Sequence, residues 1–335
     1  MYSFISASAA GLAHTQEFAR RYLTLTGEFT SLSHIEKSKV QEILNDDRDG
    51  LFAAQVEKIQ AKLKDPEIGI AAVDIPTGIM DNAAADTLCA CLAATAISSA
   101  IAEPTENERN ATPFTLYNAS QKNEDKLKEA GLKFYSPEER LGFHTDGQLR
   151  PEGVFVPDFI SVYNVMIAYR QPGSFYYLPF ELWREREEFR EAFGVNQDVR
   201  FSLTPIVYAG QNGEIESSDG RVIKAPVFWS DGTKERVFFN GEVDVGSKVH
   251  IQLSRDMSRS LLDNPERIAC PIRNRRLFIM SNSRGFHARD VFSDPIKGVP
   301  YTRSFIRFVS RAAQQVKKSE IDRRYAQPML ETAPV

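Results

Sequence analysis

Cysteine is scarce in this chain: three among 335 residues, at positions 89, 91 and 270. A small odd set excludes a disulfide-stapled scaffold and suits a reducing cytoplasm. Cys89 and Cys91 are one residue apart in an alanine-rich run, so a helix would point them to different faces and they would not share a metal. Both read as small buried apolar residues. An excess of one charge is also missing. Lys and Arg number 41 against 45 Asp and Glu, a formal net charge of -4. That argues against a nucleic-acid partner and against an acidic disordered tail. Residues 1–13 lack the positive segment that opens a secretory signal. The longest apolar stretch, Ala83 to Ile101, is broken by Asp86, Thr87, Thr95, Ser98 and Ser99. It is too polar for a membrane span and reads as a buried helix. No repeat, low-complexity segment or linker interrupts the chain. One soluble, cytoplasmic domain with no membrane partner is expected.

What is present divides by character. Residues 1–110 read as mostly helical. Apolar positions at helical spacing predict helices over Ser31–Leu44, with Ser33 as cap, and over Leu51–Leu63, stopped by Asp65-Pro66. Gly69–Ile75 reads as a strand, and Asp81 or Asn82 caps the alanine-rich helix. Residues 111–317 read as a mainly β core. Phe155–Tyr169 forms one long strand or two, Phe180–Phe193 an amphipathic helix, and Arg200–Asn240 several short strands. Turn signals at QNGE, SSDG and SDGT separate those short runs. Val249–Leu262 is a helix, Arg276–Ser281 a strand and Tyr301–Val309 the last strand. Residues 318–335 form a polar peripheral tail. The class is α+β with a β-sandwich or barrel-like core.

The chemistry rests on few residues. Of five histidines, two stand in telling contexts. His144 and Asp146 lie two apart in LGFHTDG, where strand alternation would put an imidazole and a carboxylate on one side. His287 lies in NSRGFHAR, where the RLFIMS strand runs into a loop. Two histidines and one carboxylate leave half of an octahedron open, the ligand set of non-heme Fe(II) oxygenases. Zinc would accept the same donors. Arg303 and Arg307, four apart on the final strand, share a face. Such a planar fork suits the distal carboxylate of a chelating dicarboxylate. A zinc hydrolase has no need of it.

With HTD, NSRGFHAR, Arg303 and the Val156-Pro-Asp-Phe-Ile stretch, residues 110 to 310 resemble the clavaminate synthase and taurine dioxygenase superfamily. The resemblance implies a double-stranded β-helix, or jelly roll, with flanking helices. It implies Fe(II), 2-oxoglutarate and O2, with His144, Asp146 and His287 as catalytic iron ligands. Arg303 would hold the distal carboxylate of 2-oxoglutarate, and Arg307 would sit near its iron-bound end. The family usually adds a threonine. The matching stretch, Gly173 to Tyr177, has none, so Ser174 or Tyr176 is expected instead. The implied reaction is hydroxylation of an unactivated C–H bond coupled to oxidative decarboxylation of 2-oxoglutarate.

The expected substrate is a small molecule, most plausibly a free amino acid, with lysine as a guess within that class. A sulfonate or other organic acid is the alternative, and a zinc-dependent hydrolase the alternative of another class. Tyr117, Asn118, Gln121, Gln148 and Arg284 are candidate substrate contacts. Arg289 is as well suited to an ordinary salt bridge as to substrate. Phe143 and Phe286, each preceding a ligand histidine, read as core packing on the opposite face.

Overall fold

Alternation along single strands assembles the layers. In β1 (Ile70–Asp74), Ile70 and Ala72 face one apolar cluster while Ala71 and Val73 face another. A strand buried on both sides needs cover on both. The computed structural model describes residues 4–5, 9–27, 29–47, 50–105, 111–120, 136–150, 153–203, 207–209, 215–217, 221–230, 232, 235–241, 247–310 and 313–316.

Two antiparallel sheets face each other. The other strands are β2 (Thr115–Ala119), β3 (Leu141–His144), β4 (Phe159–Ile167), β5 (Ser174–Pro179), β6 (Ile268–Pro271), β7 (Arg276–Ser281), β8 (Gly285–Arg289) and β9 (Arg303–Val309). The five-stranded sheet has the order β1-β7-β4-β9-β2, and the four-stranded sheet the order β6-β5-β8-β3. Ile70, Ile160, Val162, Phe175, Tyr177, Phe278 and Met280 fill the space between them. This is a jelly roll with flanking helices.

The outer face of the larger sheet carries Tyr163, Leu277, Ile279, Ile306 and Phe308. Four helices cover it: α1 (Ala9–Thr26), α2 (Lys37–Asn45), α3 (Ala53–Lys64) and α4 (Ala83–Ile101). Helix α4 is long and apolar enough to cross a membrane by length and composition, but most of it is packed inside this layer. Asn82 caps it, accepting from the N–H groups of Ala84 and Ala85. The outer face of the smaller sheet carries Phe143, Leu178, Phe286 and Ala288. It is covered by α5 (Arg186–Phe193), α6 (Lys248–Asp263) and strands of the 198–237 region. Each large side chain so buried contributes ~1.5–3 kcal/mol relative to exposure.

Several elements depart from expectation. Leu32–His34 is a 3-10 turn containing Ser33, so the second helix begins only at Lys37. The helix expected over 180–193 is a 3-10 turn at Phe180–Leu182 followed by the shorter α5. Within the mostly helical N-terminal segment, β1 forms an edge of the larger sheet. Strand β9 is not the last: Ala313–Val316 follows and pairs with Gly153–Pro157. The expected 318–335 tail lies outside the described residues.

Candidate metal centre

Adjacent strands of the smaller sheet supply the two histidines. Antiparallel pairing sets His287 directly opposite His144 in register, with ring centroids 4.2 Å apart. Phe143 and Phe286 belong to the outer cluster, so both imidazoles face the space between the sheets. His287 is therefore in the middle of a strand, not at the start of a loop. Asp146 corrects a second expectation. Strand β3 ends at His144, and Asp146 sits in the following loop. Strand alternation does not place it.

Hydrogen bonds do. Thr145 donates its backbone N–H to the Phe239 carbonyl at 2.7 Å, and Phe239 N–H donates to Thr145 Oγ1 at 2.9 Å. Asn282, fully buried, accepts from Asp146 N–H at 2.7 Å. Its amide donates to the carbonyls of Asp146 and Pro157, both at 2.9 Å. One side chain thus grips both backbone groups of the carboxylate-bearing residue. Sequence reasoning had singled out neither Asn282 nor Phe239, although Asn282 opens the NSRGFHAR stretch.

Tyr177 supports the same region. Its hydroxyl donates to the Ser281 carbonyl at 2.7 Å, and its ring lies so close to Gly285 that a Cβ there would overlap it. Phe175 stacks on His287 with centroids 5.9 Å apart.

The donor atoms of His144, Asp146 and His287 lie within 4.8 Å of one another. Asp146 Oδ1 is 3.7 Å from His144 Nε2, and Oδ2 is 3.7 Å from His287 Nε2. His144 Nδ1 is 2.9 Å from the Gly142 carbonyl, which makes that nitrogen the donor and turns the Nε2 lone pair inward. Burial, then the neighbouring His144 ring, pushes His287 down to about 3, so its imidazole is neutral. Burial opposes ionisation of Asp146, but Arg307 with the two histidines outweighs it and holds the carboxyl well below the usual range. A neutral His287 imidazole and an ionised Asp146 carboxylate thus converge with the His144 ring. That arrangement fits a divalent cation.

Arg307 Nη2 contacts Asp146 Oδ2 at 2.7 Å, and Arg307 also donates to the Tyr117 hydroxyl. Tyr117 stacks on Phe305 with centroids 4.8 Å apart. Arg303, Phe305 and Arg307 share the inner face of β9, opposite to Ile306 and Phe308. Arg303 is buried, and no carboxylate among the described residues pairs with it. Burial and the nearby Arg289 push its pKa well below the ordinary arginine value. It donates to Asn164 Oδ1 at 3.1 Å.

The remaining candidates are dispersed. Ser174 and Tyr176 alternate with the inward Phe175 and Tyr177 and so face outward; the Tyr176 hydroxyl donates to Asp290 Oδ2 at 2.8 Å. Asn118 Oδ1 accepts from Ser304 Oγ at 2.6 Å on the outer side of β9. Arg284 donates to the Lys64 carbonyl at the end of α3, away from the centre. Arg289 is caged by the carbonyls of Ser136, Pro137, Glu139 and Asp290. Burial lowers its pKa to about 10. Gln148 starts a short strand paired with Gly153–Pro157. Gln121 lies outside the described residues.

No protein-family profile and no curated protein sequence matches the chain. Solved structures do. An asparagine oxygenase in complex with Fe(II), 2S,3S-3-hydroxyasparagine and succinate matches at TM-score 0.63 and 13% identity, over 92% of this chain and 93% of that one. The non-heme iron oxygenase OrfP, in complex with Fe and alpha-ketoglutaric acid, matches at TM-score 0.57 and 13% identity, over 92% and 94%. OrfP with Fe, succinate and (3S)-hydroxy-L-Arg matches at TM-score 0.57 and 12% identity, over the same shares of 92% and 94%. Over nearly its whole length, this chain has the jelly-roll fold of these non-heme iron oxygenases.

Proposed function

We propose that the protein is an Fe(II)/2-oxoglutarate-dependent oxygenase that hydroxylates a free amino acid. One observation carries the reading. Three convergent donors and a buried arginine without a carboxylate partner among the described residues occupy the same inter-sheet space. The donors alone fit zinc as well as iron. That guanidinium, which bonds Asn164 but no carboxylate among the described residues, fits a dicarboxylate cosubstrate, for which zinc hydrolysis has no use.

His144, Asp146 and His287 would hold the metal on one face, leaving the other coordination positions to ligands. When bound, iron would activate O2, the oxidant, whose two oxygen atoms go one to the C–H bond of the substrate and one to 2-oxoglutarate, itself oxidised to succinate and carbon dioxide. The chain positions and screens. Asn282 and Phe239 fix the Asp146 loop, Arg307 neutralises and orients the carboxylate, and Phe175 excludes water beside His287. The substrate class rests on the hydroxylated amino acids bound to the neighbouring structures. Three buried cysteines, none of them bonded, suit a cytoplasmic setting.

The test has two parts. Anaerobic Fe(II) and 2-oxoglutarate should together produce a weak visible charge-transfer band. In air, a panel of free amino acids, lysine included, should contain one that stimulates succinate formation with matching product. No band, together with zinc-dependent hydrolysis, would overturn the reading. A band without stimulation by any amino acid would overturn only the substrate class.

A further inference from the structure

Two buried donors close together lack acceptors among the described residues: Nε of Arg303 and Nδ2 of Asn164. Asn164 is 1% exposed and Arg303 6%. The amide orientation follows from chemistry. A guanidinium only donates, so Asn164 turns its oxygen to Arg303 and leaves its NH2 group unused. The rings of Phe292 and Phe305 flank the guanidinium, with centroids 5.0 and 4.1 Å away. A cation in such a dry wall calls for an anion. One carboxylate there would accept from both orphaned donors.

The backbone explains why Asn164 points to this place. The pairing of β9 with β4 jumps from Ser304↔Met166 to Phe305↔Asn164, skipping Val165. Ordinary alternation puts Asn164 on the inner face with Ile160 and Val162 and Val165 in the outer cluster, and the bulge resets the phase so that Ile167, opposite Arg303, returns to the inner face. Arg303 stands four residues, about 13 Å of strand, from Arg307. Arg307 contacts the metal ligand Asp146, Arg303 lies farther along the same face, and Asn164 pairs with Phe305 between them.

We propose that Asn164, with Arg303, binds the distal carboxylate of 2-oxoglutarate, in the role that the sequence had suggested for Ser174 or Tyr176. The proposal rests on the functional reading above.

Calorimetric titration of the Fe(II)-loaded protein without oxygen tests it. The probes are 2-oxoglutarate and 2-oxobutyrate, the same 2-oxo acid without the distal carboxylate. Asn164→Asp is isosteric and gives Arg303 a partner of its own, so the melting temperature should hold or rise. Its Kd for 2-oxoglutarate should increase about tenfold to a hundredfold, the loss of charge-assisted hydrogen bonds. Its Kd for 2-oxobutyrate should stay within about twofold. Asn164→Ala should show the same selectivity with a smaller loss; if it does not fold, Asn164→Asp decides alone. Unchanged 2-oxoglutarate affinity, or equal weakening of both probes, overturns the role of Asn164. Failure of the unsubstituted protein to bind 2-oxoglutarate overturns the functional reading itself, and this assignment with it.

Discussion

Replacing Asn282 by alanine should separate metal binding from folding. The substitution removes three hydrogen bonds of 2.7 to 2.9 Å and strands the Asp146 N–H and the carbonyls of Asp146 and Pro157. An unsatisfied buried group costs about 1–3 kcal/mol. Asp146 retains some access to water, so a loss of about 3–5 kcal/mol is expected in all. For a chain of this length that corresponds to roughly 4–7 °C in melting temperature. The loop carrying Asp146 would also lose its anchor, and removing such outer contacts typically weakens metal affinity 10- to 100-fold. Asn264→Ala is the control. Asn264 is equally buried and bonds the Leu182 carbonyl and Glu266 N–H, far from the centre. It should lose stability and keep its metal affinity. Metal titration beside thermal melting reads both quantities. An Asn282→Ala protein that melts earlier but binds metal within twofold of the unsubstituted chain would refute the clamp.

Three further outcomes are expected. Asp146→Ala should abolish tight metal binding and 2-oxoglutarate turnover, and should also lower the melting temperature of the metal-free protein, because Arg307 loses the carboxylate it contacts at 2.7 Å. Gly285→Ala should cost about 1–3 kcal/mol of stability in denaturant titration, since the new Cβ overlaps the Tyr177 ring; an unchanged midpoint would contradict the close approach. Asp86 ties α4 to Arg275 at 2.6 Å. Burial opposes its ionisation, but the Met80 and Ile79 N–H groups and Arg275 lower its pKa overall. A lowered carboxylate contributes stability above its unfolded pKa and loses it as pH falls through the folded one. The gap in stability between Asp86→Asn and the unsubstituted chain should therefore be wide at neutral pH and narrow below the ordinary carboxylate range. A gap that widens in acid would contradict the sign.

The legible parts of the molecule were those set by local pattern. RLFIMS forms β7 over the predicted residues, and the alanine-rich run forms α4 with Asn82 as cap, because strand burial and helix capping are encoded within a few residues. The sequence brought forward His144, Asp146 and His287, whose donor atoms the fold gathers within 4.8 Å of one another, because few residue types can ligate a metal. What the sequence hid depends on distant partners. Asp146 looked like a strand residue, but Asn282, 136 positions away, holds it in a loop. Ser174 and Tyr176 had the right chemistry for a carboxylate, yet the alternation of β5 turns them outward. Asn164 carried no local signal: alternation turns it inward beside Ile160 and Val162, but only the pairing of β4 with β9 brings it to Arg303. The helix expected over 180–193 shortened because the 3-10 turn at Phe180–Leu182, directly after Pro179, occupies its first residues.

A crystal structure of the protein grown without oxygen, with Fe(II) and 2-oxoglutarate, bears most directly on the whole. The expected result is one metal ion bonded to His144, Asp146 and His287, with the far carboxylate of the dicarboxylate on Arg303. Metal bound elsewhere, or His287 left out of its coordination, would contradict it.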